Sequence, residues 1–232
     1  MFIGHFGVGF AGKAAAPRVS LGTLFLAAQF IDLLWPSLLL LGWERVRIVP
    51  GATVANPLVF EHYPISHSLL AVIGWAIAIG TVHFAGRRDV RAAVVIAALV
   101  VSHWLLDAIV HVPDLPLAPG SDIVVGAGLW NSPIATLVLE FVLFAVGVVL
   151  YLRVTHARDA IGRWALAGLI VFLGIIQLAN SFGDPPPSAS AIAWVGQAQW
   201  LLVLWAYWVD GHRIAGRAHF PGPLAVGQEA TR

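Results

Sequence analysis

Long apolar segments alternate with short polar connections along almost the whole chain. Each apolar segment has about 20 residues, the length that an α-helix needs to cross the hydrocarbon core of a bilayer. Spanning segments fold as helices, because their backbone groups have no water to bind inside the bilayer. The pattern therefore predicts an all-α fold class, a polytopic membrane helix bundle with six transmembrane helices. These helices are expected at residues 19–41, 66–85, 92–112, 133–152, 163–182 and 191–209.

A further apolar segment, residues 2–12, is too short to span a bilayer. Its glycines would let it lie close against another helix. They are Gly4, Gly7, Gly9 and Gly12. We expect a short N-terminal half-helix that turns near Arg18 and packs against the first span. At about 1.5 Å per residue, such a hairpin would bring His5 and Asp32 to the same depth, roughly 20 Å above the turn.

The connections differ in charge on the two sides of the predicted bundle. Arginines are concentrated at residues 87–91, 153–163 and 213–232. The positive-inside rule places these segments, the N-terminal turn and the C-terminus in the cytoplasm of a bacterial inner membrane. The loops 42–65, 113–132 and 183–190 then face outward, with Arg45 and Arg47 as a mild exception. We expect one transmembrane domain over residues 1–211 and a solvated, mobile tail over 212–232.

The composition agrees with a membrane protein. Hydrophobic residues make up 59% of the chain and charged residues 11%, whereas soluble domains have about 25% charged residues. A net charge of +1 offers no basic face for nucleic acid. The absence of cysteine excludes thiolate ligands, so any metal must be held by His, Asp, Glu or neutral oxygen.

Several ionisable side chains lie where hydrocarbon is expected. A charged group deep in a bilayer costs about 2.5–3.5 kcal/mol or more, so each one needs a partner. His103, Asp107 and His111 follow one another at intervals of four and share one helix face. The predicted topology brings the whole set to the outer half of the bilayer. Its members are Asp32, His67, His103, Asp107, His111 and Glu140.

A divalent metal would account for this set economically. Imidazole and carboxylate are ligands of zinc, and also of manganese and iron, and a cation compensates buried carboxylates. Zinc is the metal we expect first. The simpler interpretation is structural: His103 and Asp107 would form an ion pair within one helix, and Glu140 would bond Asn131 or Ser132. His83, alone in its span, is best explained as a packing residue.

The motifs resemble a known family. Gly4-His5, Asp32, HYPISHSLL at 62–70 and SHWLLD at 102–107 are similar to the motifs of a bacterial inner-membrane family of metal-dependent hydrolases. That family has an N-terminal Gly-His, Pro-Asp-x-Asp, His-Arg-Gly-x-Thr-His-Ser and His-x-x-x-Asp. The order of ligands also resembles, more distantly, zinc-dependent phospholipase C and nucleases. This chain departs from the family pattern at Phe30, Tyr63 and Ser66.

The resemblance and the polar residues together indicate a metal site, which could hold one metal or two metals bridged by a carboxylate. The expected metal ligands are His5, Asp32, His67, His103 and Asp107. Three further residues are candidates for catalysis: Glu140 as general base, and His62 and His111 as proton-transfer groups or additional ligands at the outer mouth.

Four functions are compatible with these residues. The leading hypothesis is a metal-dependent hydrolase that acts, from within the bilayer, on a lipid or lipid-linked ester or phosphoester. The main alternative is a transporter of divalent cations or protons that uses the same groups. Haem binding through paired histidines suits the site less well, because Asp32 and Asp107 are hard ligands. In the fourth interpretation the cluster only fixes helix packing.

Overall fold

The computed structural model describes residues 1–216 as a helical bundle with three small two-stranded sheets. Five helical segments, one of them made of the two consecutive helices over Ala189–Gly211, are long and apolar enough to cross a membrane, and they number six if a bent pair is counted as one span. The predicted all-α membrane bundle is confirmed. The helices are α1 (Ile3–Ala15), α2 (Leu21–Ala28), α3 (Phe30–Leu40), α4 (Pro64–His67), α5 (Leu69–Arg87), α6 (Val90–Val110), α7 (Pro133–Val154), α8 (Ala160–Phe182), α9 (Ala189–Gln197) and α10 (Gln199–Gly211).

The first span is broken, which the hydrophobic pattern did not predict. Residues 19–41 were expected to form one helix, but α2 and α3 meet at Gln29 with a bend of 57°. Gln29 is fully buried, and its Nε2 donates to the carbonyl of Phe2 at 3.4 Å. The break places the start of α3, and with it Asp32, beside the N-terminus of α1.

Helix α7 shows how the bundle divides lipid from core. One face is exposed and apolar, with Val138, Val142, Val146 and Val149 at intervals of three or four residues. The opposite face is buried and carries Glu140, Phe144, Gly147 and Tyr151. Because the exposed faces of these helices are as apolar as lipid tails, the surface suits a bilayer.

The half-helix α1 lies inside the bundle against α7. A Cβ at Gly147 would lie 1.9 Å from the carbonyl oxygen of Gly7, and a Cβ at Gly7 would lie 2.6 Å from the carbonyl oxygen of Leu143. The two backbones are therefore in direct contact. The expected close packing of the glycine-rich segment is confirmed. The glycine-rich helix packs against α7 as well as against the first span. Its contact with the first span includes Gly9, which faces the ring of Phe25.

The two ends of the bundle differ. At one end, here called the hairpin end, β1 (Arg45–Ile48) pairs with β2 (Leu58–His62), and β3 (Leu115–Pro116) pairs with β4 (Val124–Val125). At the opposite end, the arginine end, β5 (Thr155–Ala157) pairs with β6 (Arg213–Ala215). The first residues of the predicted tail thus form a strand, and residues 217–232 lie outside the described part of the chain.

A buried ion pair fixes α1 at the arginine end. Lys13 Nζ lies 2.7 Å from Asp210 Oδ2 and donates to the carbonyl of Val19 at 2.8 Å. The hydroxyl of Tyr151 donates to Asp210 Oδ1 at 3.1 Å. Since α1 is held here and by its contact with α7, His5 is fixed at the other end of the helix.

Candidate metal centre

Five predicted ligands from four helices come together near the hairpin end. His5 lies in the first turn of α1, Asp32 in the first turn of α3, and His67 at the end of α4. His103 and Asp107 lie one turn apart on the buried face of α6. Four of the side chains are 0–3% exposed, whereas Asp32 is 21% exposed. Asp32 therefore marks the accessible side of the cluster.

Asp107 faces three of the other groups. Its Oδ1 lies 3.1 Å from His5 Nε2, and its Oδ2 lies 3.2 Å from His103 Nε2 and 3.9 Å from His67 Nε2. The two oxygens of this carboxylate thus face different histidines of the cluster.

Asp32 closes the cluster from α3. Its Oδ1 lies 3.5 Å from His67 Nε2, and its Oδ2 lies 3.6 Å from His103 Nε2. Two overlapping triads result, one of His5, His103 and Asp107 and one of Asp32, His67 and His103, each with its ligand atoms within 4.8 Å of one another. His103 belongs to both triads and is the centre of the site.

The tautomer of His103 suits metal binding. Its Nδ1 lies 2.7 Å from the carbonyl oxygen of Ala28, so this nitrogen carries the proton and donates. The Nε2 is buried and has no hydrogen-bond partner among the described residues. A neutral imidazole in this state directs an unshared lone pair at the cluster, which is the arrangement that metal-ligating histidines adopt.

His67 is oriented by a residue that the sequence analysis missed. Its Nδ1 lies 2.7 Å from Ser66 Oγ, and that hydroxyl donates to Glu44 Oε2 at 2.5 Å. Glu44 is 1% exposed and also accepts from the backbone N–H groups of Ile65 and Ser66, both at 2.8 Å. The serine hydroxyl has one proton and donates it to Glu44, so the hydroxyl oxygen accepts from the N–H at His67 Nδ1. The Nε2 of His67 then faces the cluster without a proton.

The donor set and its spacing fit a divalent metal. A tetrahedral zinc site with ligands at about 2.0–2.2 Å places neighbouring ligand atoms about 3.3–3.6 Å apart. The distances from His103 Nε2 to Asp107 Oδ2 and to Asp32 Oδ2 are 3.2 and 3.6 Å. Two carboxylates in this low-dielectric position also need positive charge nearby. Three imidazoles and two carboxylates suit zinc, manganese or iron.

Glu140 lies at the start of α1. Its Oε2 accepts from the backbone N–H of Phe2 at 2.8 Å and of Gly4 at 3.2 Å. The carboxylate therefore satisfies two free amides and the positive end of the helix dipole, instead of bonding Asn131 or Ser132. The α-amino nitrogen of Met1 lies 2.7 Å from Asp107 Oδ1.

His111 and His62 lie at the hairpin end. The backbone N–H of His111 donates to the carbonyl of Asp107, one turn earlier in the same helix, at 2.8 Å. His111 is buried, its ring centroid is 4.1 Å from that of Trp130, and its Nδ1 lies 2.9 Å from Asp114 Oδ1. His62 is exposed and lies opposite Arg45 in the β1–β2 pair. Neither contributes a ligand atom to the two triads.

Tyr63 connects the two regions. Its ring centroid is 5.2 Å from that of His67, and its hydroxyl donates to Asp114 Oδ1 at 3.1 Å. Burial raises the pKa of Tyr63, and the charge of Asp114 raises it further. Tyr63 is therefore a neutral hydrogen-bond donor at physiological pH, and it lies between the five clustered residues and Asp114.

Comparison of the chain with protein-family models, with curated proteins and with solved structures finds no match. The family resemblance carried by the motifs therefore remains an expectation, and the functional argument depends on the geometry of the cluster.

Proposed function

We propose that this protein is a membrane-embedded, metal-dependent hydrolase whose metal is held by His5, Asp32, His67, His103 and Asp107. The observation that carries the proposal is the buried Nε2 of His103, which makes no well-aligned hydrogen bond and lies 3.2 and 3.6 Å from the oxygens of two carboxylates on different helices. In a cluster that only fixed helix packing, a carboxylate oxygen would be expected to lie in line with this nitrogen, so that the two form a hydrogen bond.

Each residue of the cluster has a distinct part in this proposal. His103 and His67 present Nε2 because their Nδ1 atoms are engaged by the Ala28 carbonyl and the Ser66 hydroxyl. Asp107 would be a ligand from the same helix as His103, with one oxygen beside His5 Nε2 and the other beside His103 Nε2. When bound, a divalent metal supplies Lewis-acid polarisation and a nucleophile derived from water at neutral pH. Asp32, the most exposed of the five, lies where substrate and water would approach.

The location of the cluster favours a lipid-derived substrate. The site lies among helices whose outer faces are apolar, near the hairpin end of the bundle. A lipid or lipid-linked ester or phosphoester can reach such a site from within the bilayer. By the positive-inside rule the arginine end is cytoplasmic, and the cluster then lies in the outer half of a bacterial inner membrane.

Transport of cations or protons is the second candidate, and the packing around α1 disfavours it. A polar path would have to continue from His5 towards the buried Lys13–Asp210 pair at the arginine end. Between them, the ring of Phe10 packs against those of Phe25 and Phe144, with centroids 4.8 and 5.9 Å apart. Phe10 and Phe25 are fully buried, so this section of the interior is apolar.

The test is elemental analysis of detergent-purified protein, followed by a screen for ester and phosphoester hydrolysis. His103→Ala is compared with His83→Ala, which removes a half-buried histidine of α5 that belongs to neither triad. We expect near-stoichiometric metal and hydrolysis in the wild type and in His83→Ala, and neither in His103→Ala.

Two results would contradict the proposal. Metal-free wild-type protein that is folded and cannot be loaded with zinc, manganese or iron would exclude the metal site. Proton or cation counterflow in vesicles, lost in His103→Ala and retained in His83→Ala, would replace hydrolysis by transport.

A further inference from the structure

A groove of about 350 Å³ runs along the outer surface of the bundle between α5 and α6. Small residues form its floor, Gly80 on α5 and Ala93 and Ala97 on α6. A Cβ at Gly80 would lie 3.2 Å from the carbonyl oxygen of Ala93 and 3.3 Å from the Cβ of Ala97, so the two helices are in close contact there. Ile77 and Val94 also line the groove and are 63% and 62% exposed. The groove is therefore a narrow apolar trough that faces the surrounding lipid.

The groove occupies the half of the bundle nearer the arginine end. Its lining extends over residues 76–84 of α5 and 90–97 of α6. At about 1.5 Å per residue, these stretches are roughly 10–12 Å long. One leaflet contributes about half of the 30 Å hydrocarbon core of a bilayer. The length of the groove therefore suits the first part of one acyl chain in the leaflet at the arginine end.

An arginine lies at the end of the groove. The guanidinium carbon of Arg88 is 5.7 Å from the centroid of the Phe84 ring, and Phe84 is one of the residues that line the groove. Arg88 follows α5 with a φ of 55°, the left-handed conformation in which many helices end. Its N–H donates to the carbonyl of Phe84 at 2.8 Å. This turn holds the positive charge of Arg88 against the last lining residue of α5.

Two further arginines flank this end of the groove. Arg87 is the last residue of α5, and Arg91 lies in the first turn of α6. Both are exposed, as is Arg88, and none of the three forms an ion pair among residues 1–216. Asp89 accepts from a backbone N–H of α6 at 3.0 Å as the cap of that helix. Three arginines and one aspartate leave a net charge of +2 over residues 87–91.

A second copy of the chain suits this groove less well than a lipid does. Copies in one membrane have the same orientation, and a two-fold contact through the groove would place residues 87–91 of one copy against the same residues of the other. Their positive charges would repel each other. An anionic phospholipid instead brings negative charge to the arginines and an acyl chain to the apolar trough.

We infer that the groove between α5 and α6 binds one anionic phospholipid of the leaflet at the arginine end. Its phosphate contacts Arg88 and Arg91, and one acyl chain lies over Gly80. By the positive-inside rule this is the cytoplasmic leaflet, where basic pockets between helices bind anionic headgroups. His103 and Asp107 lie in the other half of α6, so lipid binding here does not depend on metal binding or on hydrolysis.

Native mass spectrometry of the full-length purified protein, titrated with phosphatidylglycerol or phosphatidylcholine, tests the inference. We expect phosphatidylglycerol to bind more tightly than phosphatidylcholine. Arg88→Gln and Arg91→Gln should each weaken its binding about fivefold, the effect typical of one basic residue near a membrane surface. The control variant Arg153→Gln removes an exposed arginine at the same end of the bundle, on α7, and should bind like the wild type.

Thr81 tests the apolar part of the site. It lines the groove and is exposed. Thr81→Phe places a ring where the acyl chain would lie, so we expect it to weaken the binding of phosphatidylglycerol several-fold. Thr81→Val keeps nearly the same side-chain volume and should bind like the wild type. Thermal unfolding of both variants shows whether the fold is unchanged.

Three outcomes would overturn the inference. Equal binding of the two lipids by the wild type would exclude recognition of negative charge. Unchanged phosphatidylglycerol affinity in Arg88→Gln/Arg91→Gln or in Thr81→Phe, with the variants as stable as the wild type, would place any bound lipid elsewhere on the surface. A dimer in the wild-type spectrum that Thr81→Phe abolishes would show that a second copy of the chain occupies the groove.

Discussion

The imidazole rings of His5 and His103 stack face to face, with centroids 3.6 Å apart and planes within 6° of parallel. One ring comes from the half-helix α1 and the other from the transmembrane helix α6. Two charged imidazolium rings at this distance in a buried site would repel each other strongly, so the stack requires at least one neutral ring. Neutral imidazole is the form that binds metal.

His5→Phe distinguishes the stacking of the His5 ring from metal coordination by its nitrogen. Phenylalanine can keep the stack on His103 and fill a similar volume, but it cannot coordinate. We expect metal affinity to fall by at least tenfold while the thermal unfolding temperature in the presence of chelator stays near that of the wild type. Isothermal titration of metal into chelated protein measures the first quantity. Equal metal affinity in His5→Phe would remove His5 from the ligand set.

Glu44→Gln tests the orientation of His67. The amide can still accept hydrogen bonds but lacks the charge that holds the Ser66 proton, so His67 Nδ1 loses its fixed partner. Loss of such an outer partner typically lowers metal affinity 10–100-fold, and we expect that range here. Glu61→Gln is the matched control, since Glu61 is an exposed carboxylate of the same hairpin with no bond to Ser66.

Substitution of Gly147 tests whether the contact between α1 and α7 positions His5. A Cβ at this position would lie 1.9 Å from the Gly7 carbonyl oxygen, whereas a Cβ at Gly174 would meet nothing within 4 Å. We expect Gly147→Ala to destabilise the protein by about 1–3 kcal/mol, as overpacking usually does, and to weaken metal binding. Gly174→Ala should leave both unchanged. Equal stability of the two variants, measured by thermal unfolding, would contradict the contact.

Removal of metal should destabilise the folded protein. A ligand that binds only the native state, at a free concentration 100-fold above its Kd, stabilises by about 2.7 kcal/mol. Chelation should therefore lower the unfolding temperature by several degrees, and zinc should restore it. In Asp107→Asn, chelator should have almost no effect. A chelator effect as large in that variant as in the wild type would mean that the metal binds elsewhere.

The arginine end should loosen in acid. The His212 imidazole, 2.7 Å from Asp159 Oδ2, lowers the pKa of Asp159, and the N–H of Gly162 lowers it further. A carboxyl group whose pKa is depressed in the folded state stabilises the fold at every pH above the ordinary pKa of the group. This contribution is lost as the pH falls through the depressed pKa. Hydrogen exchange at β5 and β6 should therefore accelerate at low pH, and less so in Asp159→Asn.

The local pattern of the chain determined the membrane architecture and much of the cluster. The apolar segments fixed the positions of the helices to within a few residues, because the bilayer imposes one length and one type of secondary structure on every spanning segment. The apolar pattern also singled out Asp32, His67, His103 and Asp107, because an ionisable side chain inside the bilayer is energetically costly unless it has a partner. His5 was added by its motif and by the hairpin geometry of α1.

Only the tertiary structure decided the partners of the carboxylates. Glu44 lies in a polar connection, where a charged residue needs no explanation, and its role appears once the chain brings the N–H groups of Ile65 and Ser66 to it. Glu140 was a catalytic candidate because of its predicted depth in the bilayer. In the structure its carboxylate accepts hydrogen bonds from backbone N–H groups at the start of α1. The break in the first span at Gln29 could not be predicted from the hydrophobic pattern, because the apolar segment continues on both sides of it. Membrane insertion acts on each segment by itself, whereas hydrogen-bond partners depend on which distant segments the packing brings together.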